Sequence, residues 1–418
     1  MNFTNIRTPL NFFSLLLCLM PAALISGPFF SDLFLSLIGF YFLVTSIVKK
    51  NWKYYKNLFF YLFIIFYFYI LIRSIASETP LRSLESSLFY FRYIFFTLGV
   101  MYIIEKNPKV VFYFGYSIFI TIFFVTLDAY YQFFTDYNIL GYEKWGDARF
   151  SGLLKDEALG RYLVYLMPLM FALLSMKENI KKYEIMIAML ILILADIIIF
   201  LSGERTSFAL LTLGTVLIVL NIKRFKYLRM FCFLASILII TIITFNYPQV
   251  KNRIIDNTVI GFEFDSGDTK IINKEYDSIY KTAFEMFKDN PIFGIGVKNF
   301  RIKCGESQYS SEHSCSTHPH NTLLQFLSET GIIGTLFYLA AFFFCLVKLI
   351  INFVGIIFNE KDYIVKDYEV CLYVCFIVIL WPLAPSLNFF NNWISILYYL
   401  PLPFLLISIK KNNINQID

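Results

Sequence analysis

The sequence predicts an all-α polytopic membrane protein with about 12 transmembrane helices and one large outer loop between the ninth and tenth spans. Hydrophobic residues make up 58% of the 418 positions and only 16% are charged, whereas soluble domains carry about a quarter charged residues. Apolar runs of about 20 residues recur along the chain, and each can cross a hydrocarbon core about 30 Å thick. The runs are unbroken rather than alternating, which favours helices over barrel strands.

Twelve apolar blocks are assigned as spans: 10–26, 29–48, 58–75, 87–104, 110–134, 159–176, 184–202, 207–222, 228–247, 321–357, 368–387 and 392–409. The tenth is long enough for a short surface helix over 321–330 followed by the span itself. Spans one to nine therefore occupy 1–247, the outer loop 248–320, and spans ten to twelve 321–418. Another span, and no cleavage site, follows the first apolar run, so we expect a retained first helix.

The distribution of basic residues predicts the orientation. One set of connectors, with Arg7 and the Lys410-Lys411 pair, holds 18 Lys and Arg, and the short connectors of the opposite set hold six. Because cytoplasmic loops are enriched in Lys and Arg, we expect both termini in the cytoplasm and the loop 248–320 outside. These anchors explain the net charge of +6 without a nucleic-acid partner.

The cysteines separate into two groups. Cys18, Cys232, Cys345, Cys371 and Cys375 lie in apolar spans, where cysteine packs as a small hydrophobic residue. Cys304 and Cys315 share the outer loop, and an oxidising compartment favours a disulfide between them. The alternative is a zinc site formed with His318 and His320, although the spacing fits no familiar zinc motif.

The middle of the outer loop predicts an amphipathic helix over 275–289. Its apolar face comprises Tyr276, Ile279, Tyr280, Ala283 and Phe287. Asn290-Pro291 ends it, and Gly294-Ile-Gly296 predicts a turn. Such a helix could lie on the membrane surface or cap a cavity, or it could fold the loop onto the bundle, and both can hold together.

All three histidines, His313, His318 and His320, fall at the end of this polar loop. Histidine exchanges a proton near neutral pH, so this boundary is where proton-transfer chemistry is expected. His320 and Asn321 precede a predicted helix, whose N-terminal field favours a neutral imidazole and binds anions. His320 is therefore a candidate general base, or alternatively a residue that caps the helix. His313 and His318 are structural or acceptor-facing partners.

Arg205 is the leading cationic candidate, because it lies in a short hairpin, Leu201–Ser207, between two apolar spans. A guanidinium suits bidentate phosphate binding, and the alternative is neutralisation by Glu204. The connector 149–161 gathers further charges: Arg149, Lys155, Asp156, Glu157 and Arg161. It is either a solvated segment with internal salt bridges or a second wall of an anion site.

Three more arginines, Arg73, Arg82 and Arg92, lie near the outer ends of spans three and four, and Arg92 is a candidate to line a cavity. A Gly-rich phosphate loop, a nucleophile elbow, His-Glu-x-x-His and an Asp-x-Asp pair do not occur in the sequence. An ATPase and a metal-dependent transferase are therefore disfavoured.

Several of these segments resemble the O-antigen ligase and polymerase superfamily. His320-Asn321, nine residues and then Gly331-Ile-Ile-Gly334 resemble its His-Asn-x9-Gly signature. Asn290–Gly296 resembles its Pro-x-x-Gly-x-Gly turn, and Ser202–Ser207 its Ser-Arg turn between spans. Arg149-Phe-Ser-Gly152 through Asp156-Glu157 resembles its connector, so the likeness extends over about 149–340.

The resemblance implies a GT-C-like, inverting and metal-independent glycosyltransferase without a cofactor, at the periplasmic face of a bacterial inner membrane. Such enzymes pass a glycan from undecaprenyl diphosphate to an acceptor hydroxyl, which is a lipid A core sugar for ligases and the next lipid-linked repeat for polymerases. His320 would deprotonate or orient this hydroxyl, and Arg205 would stabilise charge on the leaving diphosphate. Arg149, Arg161, Lys274, Arg301, His318 and Asn321 are assigned to substrate binding.

The sequence departs from the superfamily pattern in the outer loop. Members carry a second arginine shortly before the loop helix, whereas 265–280 contains Lys270 and Lys274 but no arginine. Lys274, Arg253 or Arg301 could supply the second phosphate-binding cation.

We expect a ligase ahead of a polymerase. A transporter or flippase is the rival class, but transporters show internal repeats and charges near the bilayer midplane. A scaffold for a polysaccharide complex is the third possibility, and it predicts that changing Arg205 or His320 has no effect.

Overall fold

The computed structural model describes residues 8–145, 149–154, 158–251, 264–265, 268–269 and 274–415. The helices in chain order are α1 (Pro9–Ile25), α2 (Pro28–Val48), α3 (Leu58–Ile75), α4 (Pro80–Ser87), α5 (Arg92–Lys106), α6 (Val110–Thr135), α7 (Leu159–Ser175), α8 (Lys182–Leu201), α9 (Arg205–Asn221), α10 (Lys226–Asn246), α11 (Pro248–Lys251), α12 (Lys274–Asp289), α13 (Phe300–Lys303), α14 (Thr322–Phe358), α15 (Asp367–Ile379), α16 (Asn392–Tyr399) and α17 (Leu402–Asn415). Single 3-10 turns lie at Trp52–Tyr54 and Lys361–Tyr363. In the outer loop, β1 (Phe264–Asp265) pairs antiparallel with β2 (Asp268–Thr269).

The protein is a helical, multi-pass membrane protein. Within the described ranges, eight helical segments are long and apolar enough to cross a membrane. They are Pro28–Val48, Leu58–Ile75, Pro80–Lys106, Val110–Thr135, Lys182–Leu201, Lys226–Asn246, Thr322–Phe358 and Asn392–Lys410. Shorter apolar helices are Pro9–Ile25, Leu159–Ser175 and Arg205–Asn221. The predicted helical class is therefore confirmed, whereas the number of twelve spans and the loop position stay predictions.

The block predicted over 368–387 is shorter in the structure, whereas the block predicted over 392–409 coincides with the candidate span Asn392–Lys410. Helix α15 ends at Ile379, and the chain stays non-helical until α16 begins. Pro382 follows closely, and a proline and its preceding residue both disfavour continuation of a helix. Pro401 separates α16 from α17 for the same reason. The resulting turn over 380–391 borders the histidine loop.

Helix α7 occupies the centre of the bundle, and nearly all of its side chains are buried. It packs against α15 and α6, and α15 in turn packs against α9 and α14. The peripheral helices expose large apolar side chains, such as Phe245 on α10 at 82%, as expected for a surface in lipid. The first turn of α7, which carries Arg161, therefore lies at the end of a central helix.

Helix α14 is broken at Gly331, so the predicted division of the tenth apolar block agrees with the structure. Gly331 has φ 60° and ψ −167°, a conformation that favours glycine. The segment Pro291–Gly296 packs into this break, and the Ile332 amide donates to the Pro291 carbonyl at 2.8 Å. A Cβ atom at position 331 would lie 2.3 Å from the Ile292 carbonyl oxygen. The Asn290–Gly296 turn and the glycine at position 331 thus pack together where the loop meets α14, a contact called here the joint at Gly331.

The predicted amphipathic helix of the loop is α12, and it folds the loop onto the bundle. Ile279, Ala283 and Met286 of α12 are buried in a small core of their own. Leu324 of α14 packs against this core, which fixes α12 beside the start of α14. The Sγ atoms of Cys304 and Cys315 are bonded in the same loop, so neither thiol remains for the alternative zinc site.

Candidate functional site

His320 lies where the outer loop enters α14, with a positive φ of 53°. Its Nε2 atom is 2.8 Å from the Ser316 hydroxyl, and its ring meets the Tyr276 ring edge-on at 5.7 Å between centroids. The His320 carbonyl accepts a hydrogen bond from the Ser386 amide at 2.8 Å. Loop, α12 and the 380–391 turn together hold this partly buried imidazole in place.

The electrostatic environment of His320 keeps its ring neutral. Burial lowers its pKa below the usual 6.5, and the positive charge of Arg161 lowers the pKa further. Both effects disfavour the imidazolium. A neutral imidazole near pH 7 has a lone pair that can accept a proton from a hydroxyl.

His318 is the inner neighbour of His320, with 4.1 Å between ring centroids. It is buried, and its Nε2 atom donates to the Ser386 carbonyl at 3.1 Å. Because a carbonyl can only accept, Nδ1 is then the acceptor for the Thr317 hydroxyl at 2.9 Å. Burial of the His318 ring lowers its pKa to about 3, and the neighbouring His320 ring and the positive charge of Arg161 act in the same direction. These contacts hold His318 as a neutral imidazole that packs against the His320 ring.

The other two residues of this segment have different surroundings. Asn321 caps α14, because its Oδ1 atom accepts from the Leu324 amide at 3.0 Å. Its Nδ2 atom donates to the Pro382 carbonyl at 2.9 Å. His313 is exposed on the loop beside Glu312. Asn321 therefore fixes the start of the helix, and its predicted contact with substrate stays a prediction.

Two arginines near the histidine pair keep unused donors. Arg161 donates from Nη2 to the Pro385 carbonyl at 3.4 Å. Its Nη1 atom and Nε of Arg301 are buried, with no hydrogen-bond partner among the described residues. Both positive charges lower the pKa of His318, and Arg161 also lowers the pKa of His320. Such donors suit a bound anion, because a buried N–H without an acceptor is costly.

Glu204, in the turn before α9, binds the start of α7. Its carboxylate accepts from the Gly160 amide at 2.6 Å, the Arg161 amide at 3.2 Å and the Ser207 hydroxyl at 2.8 Å. Burial raises the pKa of Glu204, and these hydrogen bonds and the Arg161 charge oppose the rise. Two of the described bonds of this carboxylate thus run to α7 and one to α9, although the sequence indicated Glu204 mainly as a partner for Arg205.

Glu329 is a further residue at the site that sequence reasoning missed. It is fully buried in the first segment of α14, inside the nine-residue spacer of the signature. Its carboxylate accepts from Gln325 Nε2 at 3.0 Å and from the Phe300 amide at 3.5 Å. A charged residue inside an otherwise weakly polar spacer was the available signal. Through Phe300 it holds the start of α13, which carries Arg301.

The remaining predicted residues lie elsewhere on the surface or outside the described residues. Arg205 begins α9 and Arg149 begins the connector 149–161, and both side chains are exposed. Lys274 begins α12, but its side chain lies outside the described residues, as do Lys155, Asp156, Glu157, Arg253 and Lys270. The predicted convergence of Arg205, Lys274 and His320 on one cavity therefore stays a prediction.

The outer arginines of spans three and four have internal partners. Arg73 donates from Nε to the Gly294 carbonyl at 2.9 Å, which ties α3 to the loop turn. Arg92 pairs with Asp32 at 3.0 Å, and Arg82 pairs with Glu85 at 3.0 Å; a cavity-lining role for Arg92 stays a prediction. Arg73 thus supports the joint at Gly331, and the other two are neutralised locally.

Comparison with known proteins agrees with the resemblance read from the motifs. Residues 187–339 match the model of a family described as O-antigen ligase. A stretch of 95 residues is 33% identical to a Rickettsia conorii protein named as a polysaccharide ligase, and it covers 21% of this chain. The stretch spans 20% of that relative's length. Glu204, Arg205, Arg301, His320 and Glu329 all fall inside the family segment.

Proposed function

We propose that this protein is a ligase-type glycosyltransferase that moves a glycan from undecaprenyl diphosphate to an acceptor sugar hydroxyl, a sugar of the lipid A core. The reaction takes place at the periplasmic face of the bacterial inner membrane, with both termini in the cytoplasm. One observation carries the proposal: a neutral, partly buried His320 lies near Arg161, whose guanidinium keeps a buried donor unused among the described residues. The family segment and the relative named as a polysaccharide ligase support the ligase class.

His320 acts as the general base in this proposal. The acceptor hydroxyl takes the place of Ser316 at Nε2, which accepts its proton as the oxygen attacks the anomeric carbon. The bond from this carbon to the diphosphate oxygen breaks, and the electron pair leaves with undecaprenyl diphosphate. Attack from the face opposite the leaving group inverts the anomeric configuration. The buried surroundings of His320 keep it unprotonated, so the base is ready before the acceptor arrives.

The arginines act on the leaving group. A diphosphate gains negative charge as the glycosidic bond breaks, and preorganised cationic donors stabilise that charge in the transition state. Arg161 and Arg301 offer such donors beside the histidines, and Arg205 begins the neighbouring helix. A lipid diphosphate held in this way leaves without help from a metal ion or cofactor.

Reconstitution tests the proposal directly. The purified full chain, in liposomes, is given glycan linked to undecaprenyl diphosphate and lipid A core acceptor without ATP, and the transferred glycan is followed on gels. We expect transfer by the unchanged protein and almost none by His320→Ala. Movement of the donor lipid across the membrane without any transfer would instead support a transporter.

The gel pattern of a cellular His320→Ala strain separates ligase from polymerase. Loss of a ligase leaves long glycan on the lipid carrier, whereas loss of a polymerase leaves single repeats on the acceptor. Unchanged high-molecular-weight glycan, with the variant present in the membrane, would contradict a catalytic role for His320.

A further inference from the structure

Glu204 connects two helix starts that each carry an arginine. Its Oε1 atom accepts from the Gly160 amide at 2.6 Å, in the first turn of α7, and its Oε2 atom accepts from the Arg161 amide. Oε2 also accepts from the Ser207 hydroxyl at 2.8 Å, in the first turn of α9. One carboxylate thus joins α7 to α9 at their N-terminal ends.

The helices meet too closely for another residue at position 160. A Cβ atom on Gly160 would lie 2.8 Å from Ser207 Cβ and 3.1 Å from the Glu204 carboxyl carbon. The first amides of a helix have no partner within the helix and favour a negative charge. Glu204 supplies this charge from a residue 43 positions away, so the cap also fixes one helix relative to the other.

The described hydrogen bonds do not join the guanidinium group of Arg161 to Glu204. Arg161 gives its backbone amide to Glu204, so its side chain is not consumed by that carboxylate in the described bonds. Arg205 follows Glu204 directly in the sequence and starts α9. The Glu204 carboxylate therefore holds the Arg161 backbone directly and the first turn of α9, which begins with Arg205, through Ser207.

We propose that Glu204 is a positioning residue that sets Arg161 and Arg205 against the donor diphosphate. The inference rests on the proposed function, because the ligand of these arginines is the diphosphate of the lipid-linked donor. Glu204 itself stays on backbone amides and a hydroxyl and does not touch the substrate. Its effect should therefore appear in donor recognition and leave acceptor recognition unchanged.

Glu329 uses the same arrangement beside Arg301. Its carboxylate binds the Phe300 amide, one residue before that arginine. Two carboxylates on different helices thus each hold the backbone next to an arginine with an unused buried donor. This repetition supports a positioning role for Glu204.

Glu204→Gln tests the proposal, with Glu184→Gln as matched control. A glutamine accepts fewer amide hydrogens than a carboxylate and brings its own NH2 group against them. We expect kcat/KM for the donor to fall up to about 100-fold, since small misplacements at a reacting centre have effects of this size. The KM for the acceptor should not change. Glu184 also receives a helix-start amide, from Lys181 at 2.9 Å, but at the opposite end of α8, so its variant should match the unchanged protein.

A double variant shows whether Glu204 acts through Arg161. If it does, the loss of donor kcat/KM in the double variant Glu204→Gln/Arg161→Gln is smaller than the sum of the losses in the two single variants, because only the part that acts through Arg205 is added to the loss in Arg161→Gln. Additive losses, or a donor kcat/KM for Glu204→Gln equal to that of the unchanged protein, would overturn the proposal. Should Glu204→Gln not reach the membrane, Ser207→Ala removes one of the three donors and should raise donor KM several-fold in the folded protein.

Binding of undecaprenyl diphosphate alone separates this proposal from the proposed function. If the unchanged protein binds this lipid but transfers nothing, the proposed function fails, and weaker binding by Glu204→Gln still supports positioning. If the unchanged protein transfers glycan and Glu204→Gln binds the lipid equally well, the positioning role alone fails.

Discussion

Two carboxylates in this protein make different contacts with a neighbouring arginine: Asp196 binds a guanidinium group, and Glu204 binds a backbone amide. In the membrane spans, Arg229 of α10 pairs with Asp196 of α8, with Nη1 and Oδ2 2.6 Å apart. Its Nη2 atom donates to the second carboxylate oxygen and to Thr215. The side chains are 5% and 0% exposed, so the pair is closed to solvent. At the site, the carboxylate of Glu204 binds the Arg161 backbone amide instead.

The difference shows how the fold can leave an arginine guanidinium group available to bind an anion. An arginine in the bilayer is stable only when a partner neutralises it, and Asp196 does so for Arg229. At the end of α7, the carboxylate is occupied by helix-start amides, and the guanidinium of Arg161 retains a buried donor without an acceptor among the described residues. The first arrangement is suited to structure and the second to binding an anion.

Replacing the proposed base is the strongest test that the second arrangement serves chemistry. In His320→Ala, the rate of glycan transfer by the purified protein should fall about 100- to 10,000-fold, because proton removal by a positioned base contributes this much. His313→Ala is the matched control, since His313 is exposed beside Glu312. A His320→Ala protein that transfers at the unchanged rate would show that another group accepts the proton.

Breaking the closed pair should affect stability rather than chemistry. Arg229→Met leaves Asp196 buried without a counter-charge, which should lower the free energy of unfolding by about 3–5 kcal/mol. Thermal unfolding in detergent measures the loss. The double variant Asp196→Leu/Arg229→Met should recover most of it and transfer glycan at the unchanged rate per folded molecule. A double variant as unstable as the single one would mean that the pair has a further role.

Removing Arg161 should give the opposite pattern. In Arg161→Gln, kcat/KM for the donor should fall by the equivalent of about 1.5–3 kcal/mol, the contribution of a hydrogen bond to a charged group. The free energy of unfolding should change less than in Arg229→Met, because Glu204 keeps its backbone partners. A larger loss of stability than of donor kcat/KM would place Arg161 with the structural pair.

The smallest expected effect is a shift in pH dependence. The pKa of His320 is lowered by burial and then by the Arg161 charge, so the neutral base should persist below pH 6.5 and activity should fall only as pH drops through the lowered pKa. In Arg161→Gln the cation is gone and the pKa of His320 rises. The acid limb of the kcat/KM profile should then move to higher pH. A limb that does not move would indicate that the titrating group is not His320.

The helical membrane class, the apolar blocks and the polar loop that ends in the three histidines were predictable from the sequence. These depend on composition and periodicity, which act over one helix length. The amphipathic face of α12 and the break of α14 at Gly331 were predictable for the same reason, because residue spacing and glycine act locally. His320 and the cysteine pair were conspicuous because their residue types are rare in this chain.

The hydrogen-bond partners of Glu204 and Glu329 became known only from the tertiary structure. Glu204 follows α8 in the chain and adjoins Arg205, yet its carboxylate binds Gly160 and Arg161 of α7. Glu329 lies within the spacer of the His-Asn signature, yet it binds the amide of Phe300 in the preceding loop. Hydrogen-bond partners so far apart in sequence are set by helix packing, and local sequence patterns do not indicate how the helices pack. For that reason the spacing of residues indicated the histidine, and packing indicated the carboxylates that position the arginines.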